Sequence, residues 1–488
     1  MATSAASAPE GLAARRRVFA AVVGTGFSGL AIAHALKQDG LDDIVLLERA
    51  GSLGGTWRDN TYPGCACDIP SHLYSFSFAP KRDWTRVYAP QPEIREYLER
   101  CADALDVRRH VRFGREVVAA EWDERRAAWS VRMRGGEEIE ARVLVLATGA
   151  LANPAVPPIP GLERFRGARF HSSRWDHGYD LRGKRVAVIG TGASAIQIVP
   201  RIQPEVARLL VVQRTPPWIL PRGDRAFRGW EMALLRALPP LRWLYRQLLY
   251  WTFETRIVGF ERPVLMRAAE WWARRHMERS VRDPALRARL TPSYRAGCKR
   301  ILLSDDYYPA VARSNVEVVT EPVREVEERS LGLADGRAID VDAIVLATGF
   351  AVQEYLGGLA VTGRDGVTLR DYWREGARAW LGMLVPGFPN LFLLNGPNTG
   401  LGHNSMVVMI EGQARWAARA IRLLRERGVA AVEVRPEIEA AHHGWIERHA
   451  GRAVWATGCT SWYLDERGRN TALWPASATA FRARTARL

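Results

Sequence analysis

Residues 18–30 read Val18-Phe-Ala-Ala-Val-Val-Gly24-Thr-Gly26-Phe27-Ser28-Gly29-Leu30. An apolar run without alternation predicts a strand buried on both faces, as in a parallel sheet. Gly-x-Gly-x-x-Gly follows, then a helical pattern through Lys37. Gly24 permits the tight turn, Gly26 lets backbone approach a pyrophosphate, and Gly29 lets the helix pack on the strand. The helix N-terminus then offers N–H donors and the positive end of its dipole to the phosphates. Ile44–Leu47 is the next strand, and Glu48 closes it with a carboxylate able to accept from ribose hydroxyls. Strand, loop, helix, strand and terminal acid in register specify a dinucleotide-binding unit.

The pattern returns once. An apolar strand at 185–189 runs into Gly190-Thr191-Gly192-Ala193-Ser194-Ala195, with alanine an accepted variant at the third glycine. After a strand at 209–213, Arg214-Thr215 stands where the first unit has Glu48. An acid selects free ribose hydroxyls, whereas an arginine pairs with a 2′-phosphate. The first site is therefore expected to take an unphosphorylated adenosine and the second NADP(H). The competing reading of Arg214 is one more solvated arginine. A second repeat supports two units: short apolar strands enter Ala147-Thr148-Gly149 and Ala347-Thr348-Gly349. They read as strands returning to each nucleotide sheet, with the glycine bringing backbone near cofactor.

The chain of 488 residues has room for two or three domains, and at 47% hydrophobic it can build real cores. The fold class is α/β: two Rossmann-like dinucleotide-binding domains with a helical insertion in the second. Residues 1–150 and 385–488 are expected to form the first domain, with 181–384 the second. The Pro-rich stretch 154–160 marks a linker within 151–180. The insertion, about 225–290, is aromatic-rich and split by Pro239-Pro240. Its segment 241–253 reads as a buried helix or substrate-side lid rather than a membrane-touching one.

The formal charge is +16, and of 69 basic residues only Lys37, Lys81, Lys184 and Lys299 are lysines. The arginines are dispersed and accompany no reader motif, so nucleic acid is not the expected partner. High positive charge can still help draw in an anionic cofactor. Cys65, Cys67, Cys101, Cys298 and Cys459 form no Cys-x-x-Cys pair, so neither a disulfide framework nor a metal site is expected, and a reducing, cytoplasmic location fits. Cys65 and Cys67 read as packing residues. Residues 1–17 read as a frayed tail. Arg15-Arg16-Arg17 before an apolar stretch superficially resembles a secretion signal, but the glycine loop interrupts that stretch. No run of 18 apolar residues predicts a membrane span.

Three further stretches carry candidate chemistry. Residues 54–76 contain Gly54-Gly55-Thr56-Trp57, Tyr62-Pro63-Gly64, Asp68 and Tyr74, a punctuated loop whose rings could cover a flat ligand. Lys299-Arg300 sets two cations before an apolar turn, and lysine is rare in this chain. Between the two glycine units, residues 165–176 read Phe165-Arg-Gly167-Ala-Arg-Phe-His171-Ser-Ser-Arg-Trp175-Asp176.

Together these residues resemble the flavin-dependent Baeyer–Villiger monooxygenases. Phe165, Gly167, His171, Trp175 and Asp176 match that family's fingerprint, Phe-x-Gly-x-x-x-His-x-x-x-Trp-(Pro/Asp). Gly54, Gly55, Trp57, Tyr62, Pro63, Gly64 and Asp68 match its Gly-Gly-x-Trp-x4-(Phe/Tyr)-Pro-Gly-x3-Asp signature. The resemblance covers about residues 18–475. It implies FAD on the first unit, NADPH on the second, and a C4a-peroxide of the flavin that converts a ketone and O2 to an ester or lactone. Arg300 is implied as the cation serving that peroxide and Asp68 as its acidic partner. Lys299, Arg214 and Thr215 are implied as phosphate contacts, and Trp462 as lying near the nicotinamide. The candidate cofactor-binding positions are Gly24, Gly26, Phe27, Ser28, Gly29, Glu48, Gly55, Thr56, Trp57, Asp68, Tyr74, Val117, Gly190, Thr191, Gly192, Ala193, Ser194, Gln197, Arg214, Thr215, Lys299, Arg300 and Trp462. After Trp462 the run Tyr463-Leu464-Asp465-Glu466-Arg467-Gly468-Arg469-Asn470 departs from the family's usual Gly-x-Asn-x-Pro-Gly, which touches substrate preference more than cofactor use. The alternative activity is N- or S-oxygenation. An NADPH–disulfide reductase would need a placed cysteine pair, and a sensing module would have no use for Asp68 with Arg300. The expected partners are a small ketone, sulfide or amine and O2, and the expected assembly is a monomer or homodimer.

Overall fold

In the computed structural model, residues 16–488 are described. The tail expected at 1–17 lies outside them except for Arg16 and Arg17, which open the first strand, Arg16–Val23. That strand is central in a sheet of eight. It pairs in parallel with Ile44–Leu47 on one side and Glu138–Leu146 on the other. Helix Phe27–Gln38, packed on the long helix Met406–Glu426, covers Ala20 and Val22 on one face, and Val18 and Ala21 enter a second apolar cluster on the other. Glu138–Leu146 serves two neighbours in succession. Its first half pairs antiparallel with Ala128–Met133, and its last three residues pair in parallel with Leu391–Leu393.

The second sheet has five strands, all parallel, in the order Val316–Val319, Arg208–Val212, Arg185–Ile189, Ala343–Leu346, Ala168–His171. Leu346 stands opposite Ile189 as Leu146 stands opposite Val23, so each Ala-Thr-Gly turn leaves its sheet beside a glycine loop. The first glycine of each loop is therefore obligatory. Gly24 has φ +105°, and a Cβ there would sit 2.6 Å from the Ala147 carbonyl oxygen. Gly190 has φ +110° and would meet Ala347 at 2.4 Å.

Four expectations need correction. Ala360–Thr362 pairs with Val117–Asp123 in the first sheet, so the chain returns there well before 385. Three residues of edge strand are too short to announce themselves by period. Secondly, 151–180 is not all linker, because Ala168–His171 is an edge strand of the second sheet. With four residues and Arg169 as its one exposed position, it is too short to show an alternation. Thirdly, Cys298 and Cys459 form a disulfide across 161 residues, with Cα atoms 6.1 Å apart. Such a pair leaves no spacing signature. Cys65, Cys67 and Cys101 are free and buried, and burial pushes the Cys65 thiol up to about 12, as suits packing residues.

The fourth correction concerns the insertion. Helices Gly229–Ala237, Pro239–Glu254, Ile257–Glu261, Met266–Ser280 and Pro284–Leu290 fill the interval between Ile219–Leu220 and Leu302–Leu303, which pair in parallel. Pro239 and Pro240 occupy the first turn of their helix, where a missing N–H is harmless. That helix is neither buried nor a closed lid. It buries Arg242, Tyr250, Phe253 and Glu254 and turns Trp243, Leu244, Leu248 and Trp251 to solvent.

Candidate active site

The site is assembled where the loop after the first glycine unit meets the second unit. Helix Phe27–Gln38 starts directly after Gly26, and no side chain caps it, so its first-turn N–H groups remain available to an anion. A Cβ on Gly55 would stand 3.3 Å from Gly26 Cα, so the Gly54-Gly55 signature lies against the phosphate loop. Phe27 and Ser28 are buried at the helix start. Phe27 packs edge-on against Tyr74, and Thr56 opens the short helix Thr56–Asp59. Trp57 donates from its indole N–H to the Tyr74 hydroxyl at 3.1 Å. Val117 opens its strand among buried apolar neighbours.

Glu48 is nearly fully buried. Its carboxylate accepts from the Thr25 N–H (3.2 Å) and hydroxyl (2.6 Å), the Ala50 N–H (3.0 Å) and Arg58 Nη1 (2.8 Å). It is thus fixed as an anion at the strand end, and a ribose would share or displace one of these donors. Sequence reasoning did not find Arg58, whose only signal is a position two residues beyond Gly-Gly-x.

The loop then crosses to the second unit. Tyr62 donates to Gln197 Oε1 (3.1 Å), Gln197 Oε1 also accepts from the Ala66 N–H, and Gln197 Nε2 donates to the Ala66 carbonyl (3.0 Å). Gly64 has φ +81°, and a Cβ there would strike Arg201 and the Gln197 carbonyl. Gln197, expected among the cofactor contacts, is thus engaged by the loop and joins the units. Six residues past Tyr62, Asp68 Oδ2 accepts both Nε (3.0 Å) and Nη2 (2.5 Å) of Arg300. Both side chains are only about a quarter exposed, and the Asp68 charge holds the guanidinium pKa above its ordinary value.

Tyr463, a residue absent from the expected site, is fully buried beside this pair. Its hydroxyl has no hydrogen-bond partner, although it is close enough to Arg300 for each to influence the other. Burial pushes the phenol up to about 12, against the opposing pull of Arg300. Its position after Trp462 was the only available signal. Trp462 itself is 43% exposed and stacks edge-on against Tyr463.

In the second unit the helix starts at Ala195, two residues later relative to its glycines than the first helix does. A Cβ on Gly192 would meet nothing within 4 Å, leaving open space over Thr191–Ser194. Thr191 donates to the Thr215 carbonyl at 3.0 Å and ties the loop to the end of the next strand. Arg214, Thr215, Lys299 and Arg267 line a cleft of about 760 Å³ that also contains Cys459. Burial, then the charge of Arg214, lowers the Lys299 pKa. Two cations held together this way, without a carboxylate within 4 Å among the described residues, form a site for a dianion. The disulfide closes this cleft from the side, since Cys298 precedes Lys299.

The 165–176 stretch does not touch the Arg300–Asp68 pair. Phe165 is in the core under the second sheet, and a Cβ on Gly167 would sit 2.4 Å from the Asp342 carbonyl oxygen. His171 Nδ1 accepts from the Ser173 N–H (3.1 Å), which leaves Nε2 to donate to the Gly349 carbonyl (3.0 Å). Burial lowers the imidazole pKa and favours this neutral form. Trp175 packs edge-on against Phe170, and Asp176 accepts from the Gly178 N–H. His171 therefore anchors the connector to the second Ala-Thr-Gly turn.

Two glycine-loop sheets, the first mixed and the second parallel, meeting at one arginine–carboxylate pair define a two-nucleotide oxidoreductase. The flavin-binding monooxygenase-like family matches residues 16–356. A Baeyer–Villiger monooxygenase of Streptomyces coelicolor is 51% identical over 96% of this chain and 91% of its own length. A crystal structure of cyclohexanone monooxygenase from Rhodococcus sp. Phi1 bound to NADP+ superposes with TM-score 0.88 at 30% identity, covering 97% of both chains. OTEMO in complex with FAD and NADP gives 0.86 at 30% identity, covering 96% of this chain and 97% of the other. The chain belongs to the flavin-binding monooxygenase-like family, and within it to the Baeyer–Villiger monooxygenases.

Proposed function

We propose that the chain is a FAD- and NADPH-dependent monooxygenase that inserts one atom of O2 beside a ketone carbonyl, giving an ester or lactone. The observation that carries the assignment to these residues is the Arg300–Asp68 pair at the junction of the two units. The uncapped helix start, the Gly26–Gly55 approach and Glu48 fit FAD. The open backbone over Gly192 with Arg214, Thr215 and Lys299 fits NADPH. Bound FAD supplies the redox chemistry, accepting hydride from NADPH and activating O2.

The chain's own groups supply position and charge. Gln197 and Tyr62 hold the two nucleotide units in register. Arg300 offers a permanent cation with several donors to negative charge developing on oxygen. Asp68 takes Nε and Nη2 and so leaves the guanidinium in one orientation. Tyr463 and the loop around it cover one side of that cation, which stays about a quarter exposed. Among the described residues no helix is long and apolar enough to cross a membrane, and use of NADPH suits a cytoplasmic enzyme.

Purified holoenzyme is expected to oxidise NADPH faster with an accepted ketone, with ester or lactone found by mass spectrometry. Oxidised sulfides or amines alone from a mixed panel would reverse the assignment. Arg214→Ala is expected to raise the NADPH KM with little change in kcat, eroding preference over NADH by about 1–3 kcal/mol for a lost charge-assisted contact. An unchanged NADPH/NADH ratio of kcat/KM would remove Arg214 from the site.

A further inference from the structure

We propose that the helical insertion is a peripheral membrane-docking surface, seated on anionic lipid headgroups through helix Pro239–Glu254. The helix buries a mixed face, with Tyr250 and Phe253 beside Arg242 and Glu254, and exposes an apolar one. Towards the protein it presents Arg242, which donates to the Leu235 carbonyl (2.7 Å), Arg246, which donates to the His72 carbonyl (2.6 Å), and Glu254, which accepts from Asn404 (2.7 Å). Towards solvent it presents Leu241, Leu244, Leu248 and Trp251, spaced i, i+3, i+7, i+10 along one face, with Trp243 beside them. Leu244, Leu248 and Trp251 are 57%, 62% and 54% exposed. A surface helix is expected to have the reverse pattern, so this face requires a covering partner.

The patch is concentrated. Among the described residues, thirteen of the twenty exposed large hydrophobic side chains fall within 230–272, including five of the six tryptophans. The neighbouring helix Gly229–Ala237 adds Trp230 and Leu234.

Charge chooses the occupant. From 228 to 272 the exposed charged side chains are Arg228, Arg236, Arg256, Arg262 and Arg267 against Glu261 alone, with Arg236 also 3.9 Å from Asp83. Glu231 is taken by Arg225, and Glu254 lies in the interior. Tryptophan and leucine at the depth of the headgroups, rimmed by cations, suit an anionic bilayer surface. A second copy on a two-fold axis would instead bring two arginine-rimmed faces together. Nothing here requires a span, and the hydrogen bonds of Arg246 and Glu254 keep the helix on the protein.

The test uses FAD-loaded protein and vesicles of phosphatidylcholine with or without phosphatidylglycerol. Wild type is expected to co-sediment with the phosphatidylglycerol vesicles, to be released by salt, and to show a blue shift of tryptophan emission on binding. Leu244→Gln/Leu248→Gln/Trp251→Gln is expected to keep its flavin spectrum and NADPH oxidation but lose binding on the order of tenfold or more. Arg236→Glu/Arg256→Glu, which leaves the apolar face intact, is expected to lose the preference for phosphatidylglycerol. Wild type remaining in the supernatant, or both variants binding as wild type does, would overturn the proposal. So would a wild-type dimer in sedimentation equilibrium that the triple glutamine variant makes monomeric, since the covering partner would then be a second copy.

Discussion

Arg300→Ala is expected to keep NADPH-driven flavin reduction and to lose ester formation. Reduction needs the two nucleotides in contact, which Gln197, Tyr62 and the phosphate cleft arrange without Arg300. Oxygen transfer also needs negative charge on oxygen to be stabilised in a partly dry pocket. Removing one donor to a developing anion costs about 10²–10³ in rate, and here a full charge is lost with it. Oxygen uptake should continue and appear as hydrogen peroxide. Stopped-flow reduction and product analysis read the two halves separately. Wild-type ester yield from Arg300→Ala would exclude the assigned role. Asp68→Ala should show a milder uncoupling, because it frees the guanidinium to reorient without removing it. Arg300→Lys should fall between them, since an ammonium keeps the charge but not the fork that engages one carboxylate oxygen through Nε and Nη2.

The second large effect is expected at Gly29. A Cβ there would stand 2.0 Å from the Gly24 carbonyl oxygen and 2.9 Å from its carbon. Neither atom can retreat, because Gly24 is itself pressed against the Ala147 carbonyl. Gly29→Ala must therefore push the helix off the strand, at about 1–3 kcal/mol for overpacking, and move the first-turn N–H groups away from the pyrophosphate. FAD affinity should fall by about one to two orders of magnitude, since each factor of ten is about 1.4 kcal/mol. The ratio of flavin to protein absorbance after gel filtration measures this, with far-UV circular dichroism to confirm a folded chain. Retention of FAD as in wild type would show that the turn is softer than its contacts imply. The contrast is Ala195, at the corresponding place in the second unit. There the helix begins later, so a methyl group is accommodated at its first residue.

Much of this enzyme was legible in its sequence because the governing interactions are local. A buried parallel strand must be apolar, a turn with positive φ must be glycine, and an acid or arginine at the strand end chooses the ribose chemistry. These requirements act over a few residues, so they leave fixed spacings. The two glycine units, the Ala-Thr-Gly returns and the Glu48/Arg214 contrast follow from them. The pairing of Arg300 with Asp68 is legible only through family resemblance, because 232 residues separate the partners.

What the tertiary structure alone decided involves contacts with no sequence period. Ala360–Thr362 joins the first sheet at its edge, where three residues suffice because their partner strand is already in place. Cys298 finds Cys459 because the loop bearing Trp462 folds back over the phosphate cleft. Tyr463 becomes part of the site by burial beside Arg300, not by motif. Gln197 bonds to Tyr62 and Ala66 and so fastens the loop carrying Asp68 to the second unit. The clearest case is helix Pro239–Glu254. Its sequence mixes arginines with large apolar residues around the whole circumference, so composition cannot say which face is inward. Carbonyls at Leu235 and His72 and donors at Asn404 and Thr479 satisfy Arg242, Arg246 and Glu254 where they lie against the protein beside Tyr250 and Phe253. Buried charges need such partners, and these fix which face turns inward, leaving Leu241, Leu244, Leu248 and Trp251 outside.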